Sequence, residues 1–116
     1  MEKQVKSVAR WTLSRYGREA VTMLGQLIRA SRLTRKISVQ DLADRVGVSR
    51  DMIRRIERGD PRCTIGIVFE AASVVGVTLF EADRDRLSEM VAEQDAKLSL
   101  LPKAVRQKKT AVKDDF

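Results

Sequence analysis

Residues 38–59, SVQDLADRVGVSRDMIRRIERG, carry two short helical patterns that meet at a single glycine, and few folds accommodate that arrangement. Ser38 reads as an N-cap with Asp41 three residues on, an acidic variant of the capping box, and Leu42, Ala43 and Val46 supply the apolar stripe. Gly47 suits the left-handed position that ends a helix, because it has no Cβ to clash there. Ser49 caps again at once, and Ile53 and Ile56 carry a second stripe up to Gly59. Two helices joined by so tight a turn must cross steeply.

Placed on a wheel of about 100° per residue with its buried face between Ile53 and Ile56, the second helix turns Asp51, Arg54, Arg55 and Arg58 outward. Arg50 stands at the flank beside the cap, where the recognition helix of a helix-turn-helix approaches base edges in the major groove. Arginine is shaped for bidentate contact with guanine, and Asp51 can accept from cytosine N4. A solvated charged face is the ordinary explanation of such a helix. Four arginines directly after a correctly spaced turn favour DNA instead.

The stretch from about residue 24 to 80 resembles the Xre/Cro/C1-type helix-turn-helix family, through Leu42-Ala43, Gly47-Val48-Ser49, Ile53 and Ile56-Glu57-Arg58-Gly59. The resemblance implies a lambda-repressor-like domain of five helices in which Arg50, Asp51, Arg54 and Arg55 face the bases. It also implies that Arg32 pairs with Glu57, which the wheel places near the buried face and in need of a cation. Where the family often opens its first motif helix with a phosphate-holding Gln, this chain has Val39, followed by Gln40. The expected DNA-binding set is Gln40, Ser49, Arg50, Asp51, Arg54, Arg55 and Arg58.

Composition agrees with an all-α protein: 43% of the 116 residues are hydrophobic, only 4% are aromatic, and there are two prolines. The formal net charge of +7 is unevenly spread. Residues 1–62 hold fifteen basic against seven acidic side chains, whereas residues 63–102 hold three against seven. The basic half thus contains the helix-turn-helix, as phosphate binding requires. With no His and one Cys, the chain lacks the makings of a zinc site, an intramolecular disulfide or a nucleophile–base pair. No enzyme activity, metal or cofactor is expected, and Cys63 reads as a small core residue. The apolar run 65–80 is too short to span a membrane and contains Glu70, and the charged N-terminus lacks a signal-peptide pattern, so a cytoplasmic protein is expected.

Four segments are expected: an N-terminal extension (1–18), the helix-turn-helix domain (19–82), a C-terminal helix (83–102) and a disordered basic tail (103–116). The extension should be helical to about residue 15, with Trp11 packing or touching a partner. The domain's first helix should run from Glu19 to about Arg35 on a stripe of Ala20, Leu24, Leu27 and Ile28. After Asp60-Pro61 breaks the chain, Thr64 should cap an apolar helix with Ile65, Val68, Phe69, Ala72 and Val75. A capping box of Thr78 and Glu81 predicts a further short turn of helix. Asp83 should cap the C-terminal helix, which Pro102 ends. Its apolar side, with Leu87, Met90, Val91 and Leu98, must be buried on the chain's own domain or on a second copy. The acidic cluster of Glu81, Asp83 and Asp85 is explained by the positive end of a helix dipole.

Both ends carry a narrower resemblance. Residues 65–72, 77–80 and the closing 101–103 to 114–116 look like HipB-type antitoxins, whose partners are HipA-like Ser/Thr kinase toxins. That resemblance implies a repressor binding its own double-stranded operator as a homodimer and sequestering the kinase toxin. A stand-alone Xre-family regulator and a protein-bridging cofactor without specific DNA binding are the alternatives. The tail reads either as a non-specific DNA arm or, through Asp114-Asp115-Phe116, as a peptide for a protein.

Overall fold

The computed structural model describes residues 12–107 and contains five α-helices among them: α1 (Arg15–Thr34), α2 (Val39–Val46), α3 (Arg50–Glu57), α4 (Ile65–Val75) and α5 (Arg84–Leu98). Two compact units divide between Leu79 and Phe80, the first holding α1 to α4 and the second α5.

Local chemistry sets most of the boundaries. Ser38 Oγ accepts from the Asp41 amide at 3.0 Å and Ser49 Oγ from the Met52 amide at 3.1 Å, satisfying an orphan donor at each helix start. The Asp41 carboxylate turns to Arg45 at 3.1 Å, so only one half of the capping box forms. Gly47 closes α2 at φ 85°, and the amides of Gly47 and Val48 both donate to the Ala43 carbonyl, at 2.8 and 3.0 Å. Three residues therefore separate α2 from α3. Asp83 caps α5 by accepting from the Arg86 amide at 2.8 Å. Thr64 precedes α4 in an extended conformation but makes no side-chain cap bond.

The core of the first unit takes one large, fully buried aliphatic side chain from each of its helices: Ile28, Leu42, Ile53 and Val75. Each contributes roughly 1.5–3 kcal/mol by leaving water. Ala43, Ala71 and Ala72 fill the narrower spaces between them, and the Ser31 hydroxyl donates to the Val75 carbonyl where α1 meets the end of α4.

Several expectations need correction. The first helix begins at Arg15, capped by Ser14, and takes Gly17 into its first turn, so residues 12–14 are not the end of an N-terminal helix. The remainder of that extension, with Trp11, lies outside the described residues. On α1 the buried positions are Gly25, Ile28 and Arg32, while Leu27 is half-exposed and Ala20 exposed. The phase differs because Gly25 faces α3, where a Cβ would lie 2.5 Å from the Ile56 carbonyl oxygen. On α4, Ile65 is exposed and Ala71 takes a buried place. No helix forms at Thr78–Glu81: Phe80 and Glu81 adopt φ of 55° and 52°, a tight reversal of the type I′ kind. The five helices consequently include α5, and the first unit has four. Helix α5 stops at Leu98, before Leu101 and Pro102. Residues 103–107 are exposed and non-helical, and the rest of the tail lies outside the described residues.

Candidate nucleic-acid interface

Helix α3 is held from behind and open in front. Ile53 and Ile56 anchor it in the core, so positions 50, 54 and 58 are left on the outer side as a ridge of arginines at helical spacing. All three side chains are exposed, and none has an acidic partner among the described residues. Asp51 is exposed beside them in the first turn, and Ser49 is exposed as the cap. Gln40 lies on the outer side of α2, where its amide donates to Asp44 at 2.8 Å.

Arg32 and Glu57 come together under this ridge. The Arg32 Nε and Nη2 donate to the two Glu57 carboxylate oxygens at 2.7 and 3.0 Å, and Nη1 donates to the Ile37 carbonyl at 3.0 Å. Their side chains are 9% and 6% exposed, so the pair fixes α3 to α1 and to the start of α2 in a bidentate geometry. The hydrogen bond that Arg32 donates to Glu57 raises the Arg32 pKa against the opposing effect of burial.

An open groove of about 660 Å³ runs between α1, α2 and α3, with Arg29, Arg54 and Arg58 on its walls and Val39 at the first turn of α2. Val39 has no polar side chain to offer an anion, but three unpaired guanidinium groups surround the same groove. Together with the N-terminus of α2 they can hold a phosphate.

Arg55 departs from the outward set. Only 30% of its side chain is exposed, and its Nε donates to Asp60 Oδ2 at 3.1 Å. Asp60 Oδ1 accepts in turn from the Arg62 backbone amide at 2.9 Å and from Arg62 Nε at 3.3 Å. These bonds, the Arg62 amide first, hold the Asp60 carboxyl far below the usual carboxylate range, so it stays ionised at any ordinary pH. The same carboxylate helps push the neighbouring Cys63 thiol up, after burial, which is the larger cause. In the sequence alone Asp60 reads only as a chain breaker beside Pro61. The signal for it was the Asp-Pro-Arg order, since an Asp side chain commonly accepts from the amide two residues on.

In the second unit, Leu87, Met90, Val91 and Leu98 share one side of α5 and, with Phe80, line a shallow groove of about 630 Å³. No residue of α5 is fully buried. Among the described residues no cluster of His, Cys, Asp and Glu could hold a metal, and no helix is long and apolar enough to cross a membrane.

No curated protein and no solved structure matches the chain. A family of known domains does: the helix-turn-helix domain matches residues 23–87, more than half of the chain, from within α1 into the start of α5. Such a domain serves DNA binding and regulation, in agreement with the open arginine ridge on α3. The chain belongs to the helix-turn-helix domain family, of the Xre/Cro type.

Proposed function

We propose that the protein is a sequence-specific transcriptional repressor that binds double-stranded operator DNA as a homodimer. The observation that carries this reading is the ridge of Arg50, Arg54 and Arg58, unpaired and exposed on a helix whose other side is locked in the core. Arg50 and Arg54 lie where α3 would enter the major groove, and Arg29 and Arg58 flank the groove that suits a backbone phosphate. We propose further that it is the antitoxin of a toxin–antitoxin pair, autoregulating its operon and sequestering a HipA-like kinase. The resemblance of residues 65–72, 77–80 and the two closing segments supports this. The apolar side of α5 offers a surface for a second copy or for the toxin.

The test is selection of duplexes from a random-sequence library at fixed salt, followed by titration of the winning duplex and a scrambled one. A two-fold motif bound at least a thousandfold tighter than the scramble is expected. Equal affinity for both duplexes refutes the repressor. Co-purification with the product of the neighbouring gene tests the antitoxin role separately.

A further inference from the structure

We infer that Asp60 is a specificity-determining positioning residue: it holds the Arg55 guanidinium by its Nε edge so that the two Nη ends are presented together to a guanine. This rests on the reading of α3 as the helix that meets base edges. Three features of the geometry carry it. First, Asp60 is itself fixed, with 11% of its side chain exposed and Oδ1 already committed to the Arg62 amide and side chain. Second, Oδ2 takes only Nε of Arg55, at 3.1 Å. A guanidinium has a second edge, and guanine O6 and N7 are matched by the paired donors that remain. Third, Arg54 next to it has no such partner and can swing between a base and a phosphate, whereas an Arg55 tethered to an anion is kept from a sequence-blind phosphate contact.

Holding a long side chain in its bound orientation before DNA arrives removes an ordering cost from binding, worth about three- to tenfold in affinity for one such side chain. That factor is gained only where a guanine meets the held guanidinium, so it acts as discrimination.

Asp60→Asn separates these roles from the fold, because the amide oxygen can still accept from the Arg62 backbone while the charge on Arg55 loses its partner. Random-library duplexes are selected with wild type, Asp60→Asn, Arg55→Ala, Arg55→Lys and the Asp60→Asn/Arg55→Ala double variant, and urea midpoints are measured alongside. Asp60→Asn is expected to flatten the same base-pair position that Arg55→Ala flattens, by about three- to tenfold, with the rest of the motif retained. In the Arg55→Ala background it is expected to change nothing more. Arg55→Lys keeps the charge but lacks the paired donors, so it should flatten that position and show that the contact is bidentate. If Asp60→Asn fails to fold, Asp60→Ser, whose hydroxyl can still accept from the Arg62 amide, takes its place in the same comparison. A wild-type motif from Asp60→Asn, or an equal loss at every position, overturns the role of Asp60. A wild-type protein that selects no motif overturns the DNA reading itself, and this role with it.

Discussion

Removal of the Glu57 carboxylate would leave the Arg32 guanidinium with the Ile37 carbonyl as its remaining partner, in a place where less than a tenth of either side chain meets water. Glu57→Ala is therefore expected to cost about 3–5 kcal/mol, because a buried charge without its counter-ion is far worse than no charge. Replacing both residues by apolar side chains of similar volume should recover part of the loss. Urea denaturation of the two variants checks this, and a single variant with the wild-type midpoint would contradict it. The need of Glu57 for a cation could be anticipated because a helical wheel places its carboxylate close to the buried face, while Arg32 as the partner followed from the family resemblance. The tether of Arg55 to Asp60 could not be read the same way. A wheel reports the direction in which a side chain leaves its helix, and Arg55 bends back to a residue beyond the end of that helix.

At the scale of helices, α1 comes close to the end of α3 across Gly25. An ideal Cβ there would stand 2.5 Å from the Ile56 carbonyl oxygen and 2.9 Å from that of Glu57, and backbone atoms cannot yield as a flexible side chain can. Gly25→Ala should push the two helices apart and cost about 1–3 kcal/mol, despite the higher helix propensity of alanine. Thermal melting should show the loss, and operator binding should weaken with it, since Arg32 and Glu57 bridge the same two helices. An alanine variant as stable as wild type would mean that the helices separate freely. Helices α2 and α3 were legible from sequence because Ser38, Gly47 and Ser49 set their ends by bonds spanning only a few residues. The phase of α1 was not, because a glycine buried for its lack of a side chain leaves no mark in an apolar pattern. The expected helical turn at Thr78–Glu81 failed for a related reason. The same Ser/Thr-x-x-Glu spacing occurs in other turns, and nothing in the letters Phe80-Glu81 announces two successive left-handed residues.

For the molecule as a whole, the repressor proposed above is expected to be a homodimer on a two-fold site, with half-sites about 34–36 Å apart, since each chain has one α3 and an apolar side of α5. Sedimentation at micromolar concentration should show the dimer, and Leu87→Asp or Leu98→Asp should shift it to monomer while leaving the first unit folded. A monomer under all conditions, with and without DNA, would rule this assembly out. The segregation of charge was open to sequence reasoning because it is a count, whereas what covers α5 depends on a second surface that a single chain does not spell out.

The unpaired state of the ridge bears on how such a protein changes over generations. Arg50, Arg54 and Arg58 touch no acidic partner and fill no place in the core, so exchanging any of them disturbs neither packing nor burial. If the ridge reads an operator as proposed, a lineage built on this scaffold can move to a new one through single substitutions along it, each tolerated by the fold before the matching DNA has changed. Position 55 is different, since its side chain is tied to Asp60, and Asp60 in turn to Arg62. If Arg55 reads a base as proposed, change at position 55 has to pass through paired substitutions, and it becomes the slowest letter of the recognition code to be rewritten.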